Sequence, residues 1–293
     1  MASIIKKHLN QLKLFENMVL ESILNYERIS SNPFYIFILG FIYSSIAILI
    51  SLVMFKSQAS LVMVFLTAFA CFHYMFYTIK NEEMNDLLIE KETKLLKAHS
   101  KVILMFLMLF LGFFISFTLW ALILPDNISS SLFSVQYQTI GSLNSEITGN
   151  AIMSSYGVSI FLNNIKVLLF CIIFSFLYGA GAIFILTWNA SVGGAFIGQF
   201  IKTRLLVYSS GHSVLLGLVR YLPHGILEMG AYFVGALAGG IISVAVIRKD
   251  FSNKNFFRIL FDSSELIIIA IFILFIATIV EIYITPNLVI LIS

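Results

Sequence analysis

Charged side chains are scarce in this chain. They make up 11% of its 293 residues, where soluble domains carry about 25%. Mean hydropathy is +0.97. That shortage excludes an ordinary soluble globule. The net charge of +3 is small and dispersed, which argues against any nucleic-acid partner. Cysteine is nearly absent: Cys71 and Cys171 both lie inside apolar runs and read as small buried hydrophobes, with no spacing suited to a metal. No His-Glu-x-x-His occurs, so a zincin is unsupported. No internal repeat is evident. Residues 1–30 lack the apolar core of a cleavable signal. Lysine and arginine are missing from 125–163, and this gap orients the chain below.

What is present is apolar length. Several runs reach the roughly 20 residues that cross about 30 Å of hydrocarbon. They are continuous rather than alternating, so they are helices. The expected fold is all-α, a polytopic transmembrane helical bundle in the cell membrane. Residues 1–32 predict a cytoplasmic amphipathic helix: Leu9, Leu12, Phe15, Val19 and Ile23 recur at helical spacing among Lys6, Lys7, Lys13 and Glu16. Ser31-Asn32-Pro33 supplies a cap and a first-turn proline. Three spans follow, near 34–55, 59–79 and 102–124, with a solvated charged helical extension over 80–101 between the last two. Residues 125–159 predict an extracytoplasmic loop, in which Asn127-Ile-Ser129 matches a glycosylation sequon. The apolar region 160–201 is long enough for two spans, dividing at Tyr178–Gly181 or at Trp188–Ser191. Residues 202–222 read as a loop or partly inserted segment. Spans near 223–247 and 264–285 complete the set, within a C-terminal domain over 160–293.

Basic residues in short loops mark the cytoplasmic side. Placing the basic segments 1–30, 80–101 and 248–258 inside requires two crossings between 160 and 201. Seven spans result, with the N-terminus cytoplasmic. If 188–201 is only re-entrant the count is six, and the basic segment after 247 faces out, against the charge bias.

The polar residues inside these runs are the candidate site. A charged side chain in hydrocarbon costs roughly 2.5 kcal/mol or more on insertion scales, so it pairs, lines water or does chemistry. Under the seven-span topology His224 and Glu228, Glu281 and Thr285, and Asn163 and Asn164 all fall in the outer third. At 100° per residue, His224, Glu228, Ala231, Gly235 and Gly239 share one stripe. Ser263, Ala270, Ala277, Glu281 and Thr285 share a second, and Asn164, Cys171, Ser175 and Ala182 a third. Gly194-x-x-x-Gly198 and Gly235-x-x-x-Gly239 predict close helix packing. His224 with Glu228 reads as a structural pair, as a proton, ion or substrate site, or as part of a metal site that lacks a defined third ligand. Glu281 either reaches the interface or finds an interhelical partner. No catalytic residue, metal site or cofactor is assigned.

Asn163-Asn164 at the head of a span, Asn189 before Val192-Gly-Gly-Ala195, Pro223-His-Gly-x-x-Glu228, and Glu281 with Thr285-Pro286 together resemble the stage II sporulation protein M family. The resemblance covers about 160–290, and its most specific part is Pro-His-Gly-x-x-Glu with the Gly/Ala ladder behind it. Residues 1–159 carry nothing that matches, so the first three spans read as an addition or a divergent half. In spore formers the family member belongs to a membrane complex with peptidoglycan-degrading proteins. The resemblance therefore implies a scaffold that recruits or anchors partners, with Asn164, Asn189, His224, Glu228 and Glu281 as the family positions.

Three functions follow. The first is a non-catalytic scaffold or assembly factor whose partners are membrane lipids and other membrane proteins or further copies of itself. The second is a transporter, channel or lipid-handling protein with water reaching His224 and Glu228; a Gly-rich interruption at 188–201 would suit it. The third is an intramembrane enzyme with His224 as base, for which no nucleophile stands out.

Overall fold

The computed structural model describes residues 32–88, 92–139, 153–178, 181–247 and 254–292. The amphipathic helix expected over 1–32 lies outside them, apart from Asn32. Among the described residues every regular element is helical. The order is α1 (Pro33–Met54), α2 (Ala59–Leu88), α3 (Glu92–Ile123), α4 (Asp126–Leu132), α5 (Met153–Tyr178), α6 (Ala182–Arg204), α7 (Ser210–Ile247) and α8 (Lys254–Ile279). α8 runs through a π-helical turn (Val280–Ile284) into α9 (Thr285–Ile292). Seven of these stretches are long and apolar enough to cross a membrane.

Local chemistry sets the boundaries. Asn32 Oδ1 accepts from the Phe34 amide at 3.0 Å, with Pro33 in the first turn. α2 continues to Leu88, and α3 begins at Glu92, ahead of an apolar window that opens at His99.

The structure takes the first of the two divisions left open for 160–201, and three other boundaries differ from the sequence expectation. The 160–201 region divides between Tyr178 and Ala182, so 188–201 lies inside the unbroken α6 and the six-span alternative falls. Its glycines serve packing rather than unwinding: a Cβ on Gly194 would sit 2.7 Å from Phe117 Cβ, and one on Gly198 would sit 2.6 Å from Ala121 Cβ. Ala182 accordingly belongs to α6 and not to the stripe of α5. Helix α7 begins at Ser210 and carries Pro223 within it, so 202–222 is the end of α6, a short turn and the first turns of α7. The last crossing is also longer than 264–285, with an apolar stretch over Phe256–Ile292.

The third difference is the start of the expected loop over 125–159. Residues 126–139 are helical apart from a turn at Phe133, and they fold back along α3. Ser129 Oγ lies 3.5 Å from the Ala121 carbonyl, and the Phe133 and Phe117 rings meet edge to face at 6.4 Å. Lys202 holds the start of this segment, through the Leu124 carbonyl at 2.8 Å and Asp126 at 2.5 Å. Leu132 and Phe133 are fully buried, which is why an apolar pair sits in an otherwise polar stretch.

Close approach organises the bundle. α1 packs parallel to α3 where Gly40 faces the Leu109 carbonyl and Gly112 faces the backbone of Phe37 and Phe41. Ser45 Oγ and Ser116 Oγ are 3.0 Å apart, and Trp120 Nε1 donates to Ser45 Oγ at 3.2 Å. α6 lies on α3 through Gly194 and Gly198. α7 lies on α5 through Gly235 and Gly239, whose missing side chains admit Leu168 and Ile172. Residues 231–240 of α7 are all buried, so this helix runs through the centre of the bundle.

Candidate functional site

The central polar cluster is built from α5, α7 and the chain around the π turn. Asn164 Nδ2 donates to Glu228 Oε1 at 2.5 Å. The same side chain accepts, at Oδ1, from the Tyr232 hydroxyl at 3.1 Å. Asn164 therefore spends both ends of its amide on α7. Glu228 and Tyr232 are four residues apart, hence stacked on one face. One turn earlier, His224 Nδ1 and Thr285 Oγ1 are 3.2 Å apart, which ties α7 to α9.

The π turn explains how Thr285 gets there. Ser263, Ala270 and Ala277 are fully buried along one face of α8. Thr285 lies eight residues beyond Ala277, about 80° ahead of that face in an unbroken α-helix. The wider turn at Val280–Ile284 rotates less per residue, which brings Thr285 back toward the face and leaves it buried. Glu281 lies within that turn, where its carboxylate is an electrostatic neighbour of Glu228 and of the Tyr221 hydroxyl.

Tyr221 closes the cluster toward α3 and α6. Its ring stacks on Phe114 at 5.2 Å and meets His224 edge-on at 5.6 Å. A Cβ on Gly193 would lie 2.7 Å from the Tyr221 hydroxyl, and one on Gly225 would lie 2.8 Å from its ring. Both glycines make room for the phenol. Beside it, a cleft lined by Phe110, Phe114, Gly225 and Ile226 has a volume of about 10 Å³, space for one water at most. Among the described residues no three His, Cys, Asp or Glu side chains converge as a metal site would require.

Of the residues proposed from sequence, Asn164, His224, Glu228, Glu281 and Thr285 meet here. Ala231, Gly235 and Gly239 line the α7 face behind them, and Gly194 and Gly198 seat α6 on α3. Two residues do not join. Asn163 is exposed on the outer side of α5, one residue and 100° away from Asn164. Asn189 bonds the Ile185 carbonyl of its own helix at 2.8 Å. The helix that carries His224 and Glu228 is longer than the span expected from 223: α7 opens at Ser210, and Glu228 sits at the middle of its 38 residues, level with Asn164, which lies a third of the way along the Gly157–Tyr178 stretch.

Tyr221 and Tyr232 were not among the sequence candidates, although their three- and four-residue spacing from His224 and Glu228 was a usable signal. A second polar node was missed as well. Gln136 is fully buried. Its Oε1 accepts from Ser60 Oγ at 2.6 Å, and its Nε2 donates to Ser191 Oγ at 3.1 Å and to the Ser60 carbonyl at 3.3 Å. It joins the folded-back segment to α2 and α6.

No curated protein and no solved structure matches the chain. A sequence model of the family described as Stage II sporulation protein M matches residues 101–286, a wider stretch than the 160–290 that carried the resemblance. It takes in nearly all of the third span, which is therefore not an addition outside the family region. With well over half of its length matched and seven helices fit to cross a membrane, this multi-pass membrane protein belongs to the stage II sporulation protein M family.

Proposed function

We propose that the protein is a non-catalytic scaffold or assembly factor of the cell membrane, holding other membrane proteins in an envelope- or membrane-remodelling complex. The observation that carries this reading is the set of side-chain bonds that tie α7 to α5 and to α9 inside the spans. Glu228 is held by Asn164, Asn164 by Tyr232, and His224 by Thr285. Side chains bonded across helices in this way fix helix positions. The cleft beside them is too small for more than one water, whereas a transport site needs a wetted path. Family membership adds support, since the family's spore-forming members act within a membrane complex.

Proton or cation handling is the competing reading, favoured by two carboxylates, Glu228 and Glu281, inside the apolar spans. Glu228→Gln separates the two. The amide oxygen still accepts from Asn164, so the variant is expected to fold, to assemble and to retain its copurifying membrane proteins. Proteoliposomes of the wild type are expected to show no proton or cation flux above lipid alone. A flux present in the wild type and lost in a well-folded Glu228→Gln protein would overturn the scaffold reading.

A further inference from the structure

The polar residue that left the cluster points to another surface. Asn163 is exposed on α5 and Lys166 follows three residues later, also exposed; Ser159 lies seven residues before Lys166 and is exposed too. At 100° per residue these three fall within about 60° of one another. They form a polar stripe that faces away from the bundle, opposite the buried Asn164, Leu168, Cys171 and Ser175. The lower half of the same face is Leu169, Phe170, Ile173, Phe176 and Leu177, as a lipid contact should be.

Depth makes the stripe costly. The span runs from Gly157 to Tyr178, so Lys166 lies about 13 Å from one end and about 18 Å from the other. Both exceed what a lysine stem reaches. Among the described residues neither Lys166 nor Asn163 has a hydrogen bond, ion pair or ring contact from its side chain. An ammonium and an amide aimed at acyl chains are expensive unless something covers them.

We propose that this stripe is a docking face for a membrane-spanning helix of a different protein, one that carries an Asp or Glu near mid-membrane to pair with Lys166. Charge complementarity selects that occupant. A second copy of this chain does not supply it. Its one exposed carboxylate within the spans, among the described residues, is Glu265. α5 and α8 pack antiparallel, with Phe161 against Phe275 and Gly157 facing Ile282. That register places Lys166 level with a residue near 271, about 9 Å from Glu265 along the axis. Side chains lean toward their own helix N-terminus, so on antiparallel helices these two diverge further.

The assignment deepens the scaffold reading and depends on it for its purpose. The test uses the full chain in native membranes, with a photo-crosslinking amino acid at Asn163 and three variants at Lys166. Lys166→Arg is expected to keep the crosslinked product, whereas Lys166→Leu and Lys166→Glu lower its yield about tenfold. The captured protein is expected to contain a spanning helix with a central carboxylate, and exchanging that acid for Lys is expected to restore capture by Lys166→Glu. Because Lys166 faces outward, Lys166→Leu should melt no lower than the wild type, which separates lost docking from lost folding. Crosslinks only to lipid, to a second copy, or to a protein without an intramembrane acid would overturn the assignment, as would undiminished capture by Lys166→Leu. If copurifying proteins remain but none depends on Lys166, this face fails and the scaffold reading stands; if nothing copurifies at all, both fail.

Discussion

Asn164 is engaged at both ends of its amide, and this predicts unequal losses at two neighbouring positions. Asn164→Leu strips Glu228 of its donor and Tyr232 of its acceptor. An abandoned buried polar group costs about 1–3 kcal/mol, and an ordinary hydrogen bond contributes about 0.5–1.5 kcal/mol. Unfolding in mixed micelles is therefore expected to show Asn164→Leu losing more than Tyr232→Phe, which removes one bond and keeps the ring. Equal losses would mean that the bonds between α5 and α7 do not hold the cluster. The sequence made Asn164, His224, Glu228 and Glu281 legible because polar groups in apolar runs need a reason to be there. It could not separate Asn163 from Asn164 by type, since the two amides are chemically identical and only the rotation of α5 decides which faces inward. Tyrosine was harder still. Tyr221 and Tyr232 suit a membrane interface as readily as a buried site, so their chemistry alone announced nothing.

Glycine divides the helical elements into surfaces that tolerate a methyl group and surfaces that do not. A Cβ on Gly198 would fall 2.6 Å from Ala121 Cβ and 2.7 Å from the Thr118 carbonyl, whereas one on Gly230 meets nothing within 4 Å. Gly198→Ala must push α6 off α3, an overpacking of about 1–3 kcal/mol. Gly230→Ala adds only helix preference, worth up to about 1 kcal/mol in its favour. Thermal unfolding of the two variants should shift in opposite directions, or leave Gly230→Ala unmoved; a comparable drop in both would contradict the packing of α6 against α3. Small residues at four-residue spacing made such contacts readable in advance, but element boundaries were less so. Pro33 and Pro223 have the same covalent structure, yet Pro33 opens α1 while α7 passes straight through Pro223. What differs is tertiary: the turns before Pro223 have neighbours, with Gly217 against Ile201 and Tyr221 against Phe114, and these hold the helix together across a missing amide donor. The folded-back 126–139 segment was hidden for a related reason. Its buried residues, Ser129, Leu132, Phe133 and Gln136, are too few and too mixed to resemble a span.

At the scale of the whole molecule, apolar length left six or seven crossings and the charge bias chose seven, while their direction rests on charge alone. Of the 18 Lys and Arg residues, Lys56, Lys202 and Arg204 sit at the end of the bundle that carries Pro125, and Lys166 and Arg220 lie within spans. The others fall in segments 1–30, 80–101 and 248–258, which an odd number of crossings separates from Pro125. Two of the three cations at the Pro125 end are also attenuated. Lys202 is paired with Asp126, and the Arg204 guanidinium lies over Phe200 at 5.3 Å. The bias that fixes orientation counts lysines and arginines close to the span ends, so the Pro125 end should face away from the cytoplasm. Single-cysteine labelling can read this directly, because native Cys71 and Cys171 are both wholly buried and contribute no background. Ser57→Cys and Ser209→Cys, in exposed turns at the Pro125 end, should react with a membrane-impermeant maleimide in intact cells. Tyr178→Cys, at the exposed far end of α5, should react only after the membrane is opened. The reverse pattern would invert the bundle and put the basic segments outside. Labelling of all three in sealed cells would mean that α5 and α6 do not cross as a pair, and the seven-span topology would fail with them.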